Sequence, residues 1–86
     1  MNGEWGTPSN ITSTTTVKKQ AGALLGFYVN STSSGTIVFY DSDSTTANAI
    51  SGTITPAIGF HRFPAALANG LHVVIASTLN VTIFTQ

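Results

Sequence analysis

The segment Leu71 to Ala76 places Leu71, Val73 and Ile75 on one side of an extended chain and His72 and Val74 on the other. This period of two belongs to strands rather than helices, and it recurs along the chain. Ala23 to Asn30 sets Leu25, Phe27 and Val29 against Leu24 and Tyr28. Thr36 to Asp41 sets Ile37 and Phe39 against Val38 and Tyr40, and Ile58 to Phe63 sets Ile58, Phe60 and Arg62 against Gly59, His61 and Phe63. Leu79, Val81 and Ile83 line a last strand, while Thr14–Lys18 and Ala49–Thr55 read as shorter ones. Turn-forming residues separate these runs: the polar stretch 30–35, the loop 41–48, Pro56, Pro64, Asn69-Gly70 and Ser77-Thr78. Ala65–Ala68 reads as a single helical turn. No apolar stripe at helical spacing is long enough for a full helix.

Six to seven short strands at this spacing predict an all-β domain, a small antiparallel β-sandwich of jelly-roll or Ig-like kind. Residues 1–13 are polar, contain Gly3, Gly6 and Pro8, and lack alternation. They read as an extended N-terminal arm preceding a single domain over 14–86. Leu24, Tyr28, Val38, Tyr40, Val74 and Phe84 put apolar surface on the second face of several strands. A sheet with one face already in a core needs a partner to cover such residues.

Asp, Glu, Lys and Arg make up only 7% of the 86 residues, against about 25% in an ordinary soluble domain. The net charge is zero and cysteine is absent, which excludes disulfides and thiolate metal sites. A chain this short buries only about 60–65% of its unfolded surface, so association with other subunits is the expected route to stability. Lys18, Lys19 and Arg62 are too few and too scattered to neutralise a phosphate backbone, so nucleic acid is not an expected partner. No apolar run approaches the roughly 20 residues of a membrane helix. Met1–Trp5 shows no basic stretch followed by an apolar core, so no signal peptide is expected and synthesis falls in a cytoplasm.

Asp41-Ser42-Asp43-Ser44-Thr45 resembles the start of a calcium loop, but Thr46 and Gly52 stand where that loop needs Gly and Glu. The expected reading is a polar turn whose carboxylates accept backbone N–H groups. His61 and His72 have no catalytic companion in sequence, and the chain lacks a Gly-x-Ser-x-Gly elbow. Neither a catalytic site, a metal, a cofactor nor a small-molecule substrate is expected. Asn10, Asn30 and Asn80 each open an Asn-x-Ser/Thr triplet, which the high Ser/Thr content explains by chance. The candidate partner-binding residues are Trp5, alone in the polar arm, the outward aromatics Tyr28 and Tyr40, Arg62 on an otherwise apolar strand, and His72. Arg62 would pair with Asp41, Asp43 or an acid on another chain.

The span from about Ala21 to Phe84 resembles small all-β structural proteins of tailed-bacteriophage virions. The resemblance rests on Leu25-Gly26-Phe27-Tyr28-Val29, Gly35-Thr36-Ile37-Val38-Phe39-Tyr40-Asp41-Ser42, Ser51-Gly52-Thr53-Ile54, Phe60-His61-Arg62-Phe63-Pro64, Asn69-Gly70-Leu71-His72-Val73 and Asn80-Val81-Thr82-Ile83-Phe84. It covers about three quarters of the chain, excludes Trp5, and rests on strand-and-turn patterns that carry over no functional residue. It implies a non-enzymatic capsid decoration (cement) protein on the capsid surface. Such a protein self-associates, most often as a trimer, and staples neighbouring major capsid subunits. The alternatives are a tail, neck, baseplate or fibre module, and a carbohydrate- or receptor-binding module in which Tyr28, Tyr40 and Trp5 stack on sugars while Asp41 and Asp43 bind hydroxyls.

Overall fold

A computed structural model describes residues 6–86. Among them the chain is all-β and without helix. Its strands are β1 (Thr7–Ile11), β2 (Thr15–Lys18), β3 (Gly22–Tyr40), β4 (Gly59–Leu67) and β5 (Leu71–Thr85). All five belong to one antiparallel sheet of order β1-β5-β3-β4, with β2 also on β5. The central β3–β5 ladder runs from Leu24↔Thr85 to Tyr40↔His72.

Two of these strands are too long to be straight. At about 3.3 Å per residue, 19 extended residues would reach roughly 60 Å. The longest dimension of the molecule is 32 Å. The ladder bends where its register shifts, at Val29/Ser31 and Ser33/Ser34 on β3. Two serines at the bend take left-handed backbone, Ser34 with φ 57° and Ser77 with φ 62°. Such bulges and left-handed residues kink a strand without ending its pairing. Phe27 and Phe39, from opposite ends of β3, consequently meet with ring centroids 5.2 Å apart, and Phe39 also meets Phe63 of β4 edge-on at 5.5 Å. The sheet therefore doubles over onto a single core of Ile11, Leu24, Phe27, Val29, Ile37, Phe39, Leu67, Leu71, Val73, Leu79, Val81 and Ile83.

This arrangement departs from the short-strand expectation in specific places. The predicted strands 23–30 and 36–41 are one strand, as are 71–76 and 79–83, because the serine-rich segments between them bend the chain and stay paired. Leu24 is buried and Leu25 is not, the reverse of the predicted alternation. Leu25 is an extra residue against β5, between Leu24↔Thr85 and Gly26↔Phe84, and it turns Leu24 and Phe27 to the same side. Ala65–Leu67 continues β4 rather than forming a helical turn. Pro64 is accommodated because the β3–β4 register shifts beside it and β4 is an edge strand. Ala49–Thr55 is not a strand; Ala49 and Ile54 make isolated bridges to Tyr40 and Ile37, and Ser51 Oγ accepts the Phe39 N–H at 3.2 Å between them. Within the segment read as an arm, Thr7–Ile11 is a strand of the sheet, and Ile11 is buried against Val81.

Candidate functional site

The bend gives the sheet two outer faces, and the register fixes what each carries. On the first, Pro8, Phe84, Gly26 and Arg62 form one row across β1, β5, β3 and β4. The next row is Asn10, Thr82, Tyr28 and Phe60. Asn80 and Asn30 lie two residues further along β5 and β3. On the second face, Thr16, His72 and Tyr40 are aligned across β2, β5 and β3, with Val74 and Val38 beside them.

The first face is the more exposed, and its exposed groups include large apolar ones. Phe60 is 56% exposed, Tyr28 43%, and Ile58, just before β4, 64%. The Phe60 ring leans across the row toward Phe84, edge-on at 6.1 Å. It can do so because Gly26 has no side chain; a Cβ there would come within 3.1 Å of Phe60 Cζ. Arg62 is exposed at the margin of this group.

The asparagines meet at the other end of the face. Asn10 Nδ2 donates to Asn80 Oδ1 at 2.8 Å and to Thr82 Oγ1 at 3.1 Å. Asn30 Nδ2 donates to the same two oxygens, each at 3.2 Å. Three triplets far apart in sequence thus converge from β1, β3 and β5. Their pairing is visible only once strand order and register are known. The one sequence signal was the Asn-x-Thr spacing itself, which in a strand sets Asn80 and Thr82 on the same side.

The candidate residues are divided between the faces. Tyr28 and Arg62 lie on the first. Tyr40 and His72 are neighbours on the second, with ring centroids 6.5 Å apart and Thr16 Oγ1 2.8 Å from His72 Nδ1. Trp5 lies outside the described residues. His61 does not share the outward position of Arg62. Its ring stacks on Phe27 at 5.0 Å, and Nε2–H donates to the Ala57 carbonyl at 2.7 Å.

Asp41 is engaged within its own chain. Its carboxylate accepts the backbone N–H groups of Ala68, Asn69 and Gly70, the turn between β4 and β5, at 2.8–3.3 Å. The Asn69 and Ala68 N–H groups, helped by Gly70, hold its pKa below the usual 3.8. The turn around Ser42 is local: Ser42 Oγ accepts the N–H groups of Ser44 and Thr45. Of the residues considered for sugar binding, Tyr28 and Tyr40 lie on different faces and Asp41 is bonded to its own chain, while Trp5 lies outside the described residues. Lys18 and Lys19 line a separate open cleft of about 360 Å³ with Thr7, Ser9, Gln20 and Gln86. No three His, Cys, Asp or Glu side chains converge among the described residues.

Compared with protein-family models, curated proteins and solved structures, the chain matches none.

Proposed function

We propose that this chain is a non-enzymatic virion structural protein of the capsid decoration type, and that its doubled-over sheet works as a small β-sandwich. It associates with itself, most often as a trimer, and staples neighbouring major capsid subunits. The observation that carries this reading is the exposure of Ile58 and Phe60 together at one end of a face of so small a chain. Burying a side chain of this kind against a partner gains about 1.5–3 kcal/mol. Exposed apolar groups that lie together mark contact surfaces. Arg62 on the margin supplies one charge able to pair with a carboxylate across the contact.

The scarcity of charge supports the same reading. A contact made of aromatic rings, hydroxyls and amides has little to screen, so salt weakens it little. Quantitative mass spectrometry of purified virions tests the assignment. Decoration requires hundreds of copies, in simple proportion to the major capsid protein. A few to a few dozen copies, confined to the tail, would replace this reading with that of a tail or baseplate module.

A further inference from the structure

We propose that the cluster of Asn10, Asn30, Asn80 and Thr82, with the neighbouring ring of Tyr28, is a binding site for neutral glycans. The inference goes beyond the decoration reading. It concerns the amide end of the face rather than the Ile58–Phe60 end.

Strand propensity does not account for the cluster. Asparagine is depleted from strands, where its side chain competes for backbone groups. Here three of them lie together across three adjacent strands. Their mutual hydrogen bonds are largely exposed, where each nets only about 0.5–1.5 kcal/mol. Asn30 is also the extra residue of a bulge, between Val29↔Val81 and Ser31↔Asn80. Bulges re-aim side chains, and this one brings the Asn30 amide over the same Asn80 and Thr82 oxygens that Asn10 uses.

The cluster is half-satisfied in a specific way. Asn80 Oδ1 accepts two amide donors, and so does Thr82 Oγ1. An asparagine side chain offers two N–H donors and a carbonyl with two lone pairs. The carbonyls of Asn10 and Asn30 and the amino group of Asn80 have no hydrogen-bond partner among the described residues, nor does the Tyr28 hydroxyl. The three amide groups are held in place by the bonds already made, so a ligand need not order them.

The chemistry selects the ligand class. Uncharged donors and acceptors side by side match hydroxyl groups, which both donate and accept. The charged neighbour on this face, Arg62, lies one row away beside Gly26, and no carboxylate belongs to either row. Phosphates and anionic sugars would find little counter-charge. Tyr28, directly opposite Thr82, offers a partly exposed ring to the apolar face of a sugar.

The test is an NMR titration of the full chain with maltohexaose and chitohexaose, and with an anionic heparin hexasaccharide as comparison. A neutral oligosaccharide should bind with Kd of about 1 mM or tighter and move the side-chain amide signals of Asn10, Asn30 and Asn80. Asn80→Ala and Tyr28→Ala should each weaken it at least about tenfold, the loss of one good hydrogen bond or ring contact, while Lys19→Ala, in the separate cleft, leaves it unchanged. The titration of the unsubstituted chain stands alone should a variant fail to fold. The proposal is overturned if neither neutral oligosaccharide moves these signals at about 10 mM, if heparin binds as well, or if both variants bind normally. Copy number in the virion is indifferent to all of these outcomes, so either reading can fail alone.

Discussion

At the scale of single residues, the chain uses its few charged groups sparingly. Asp41 closes the turn between β4 and β5 by accepting three backbone N–H groups. Its pKa is lower folded than unfolded. Its stabilising contribution is therefore complete above the unfolded value near 3.8 and disappears as pH falls through the lower folded value. Asp41→Asn should lower the melting temperature at neutral pH and flatten the acid limb of a stability-versus-pH curve. An unchanged acid limb would mean that Asp41 is not the group being titrated. Gly70, in the same turn, has φ 153°, and a Cβ there would collide with the Lys18 carbonyl oxygen. None of this is legible from Asp41-Ser42-Asp43, because the groups that Asp41 holds are 27 to 29 residues away. In the core, Phe39 is fully buried and meets both Phe27 and Phe63. Phe39→Ala should cost about 3–5 kcal/mol in denaturant unfolding, a large part of the stability of so small a domain.

At the scale of elements, the alternation of apolar residues located most strands and misplaced their ends. Leu71, Val73, Leu79, Val81 and Ile83 are inward, as the period of two requires. What the pattern could not show is that Ser31–Gly35 and Ala76–Thr78 bend strands without ending them. A run of serine and threonine is equally compatible with a turn and with a kinked ladder. The difference is made by pairing across the sheet, Ser34 and Ser77 each taking a left-handed backbone near Thr78. A non-glycine residue in that region costs about 1–2 kcal/mol. Ser77→Gly should therefore be neutral or stabilise by up to about 1 kcal/mol, whereas Ser77→Val should destabilise, since a β-branched residue resists positive φ. The opposite order in thermal melts would show that the bend does not depend on that backbone. Hydrogen exchange reports on the ladder itself. Amides of β3 and β5 around Val29 and Val81 should exchange slowest, and those of Ser44–Ala47, joined to the sheet only through local bonds, fastest.

At the scale of the whole molecule, the doubled-over sheet buries one continuous core and leaves two outer faces of different character. The sequence offered Trp5, Tyr28, Tyr40, Arg62 and His72 as separate partner-binding candidates; of the described ones, strand order puts Tyr28 and Arg62 on one face and Tyr40 and His72 on the other. Phe60 and Ile58, the most exposed large apolar residues among those described, were not among those candidates. Alternation put them with Arg62 on β4 but could not say whether that side was core or surface. With so few charges, melting temperature and self-association should change little between low and high salt, a behaviour contrary to that of surfaces held by ion pairs. Phe60→Ser should reduce self-association measured by sedimentation while leaving the far-ultraviolet dichroism of the sheet intact. The most direct test of the central claim is add-back of the purified chain to capsids lacking it, imaged by cryo-microscopy. The unsubstituted chain should decorate the shell with the Ile58–Phe60 edge toward capsid subunits or sister copies, and Phe60→Ser should decorate poorly. Equal decoration by the two, or binding confined to the tail, would contradict it.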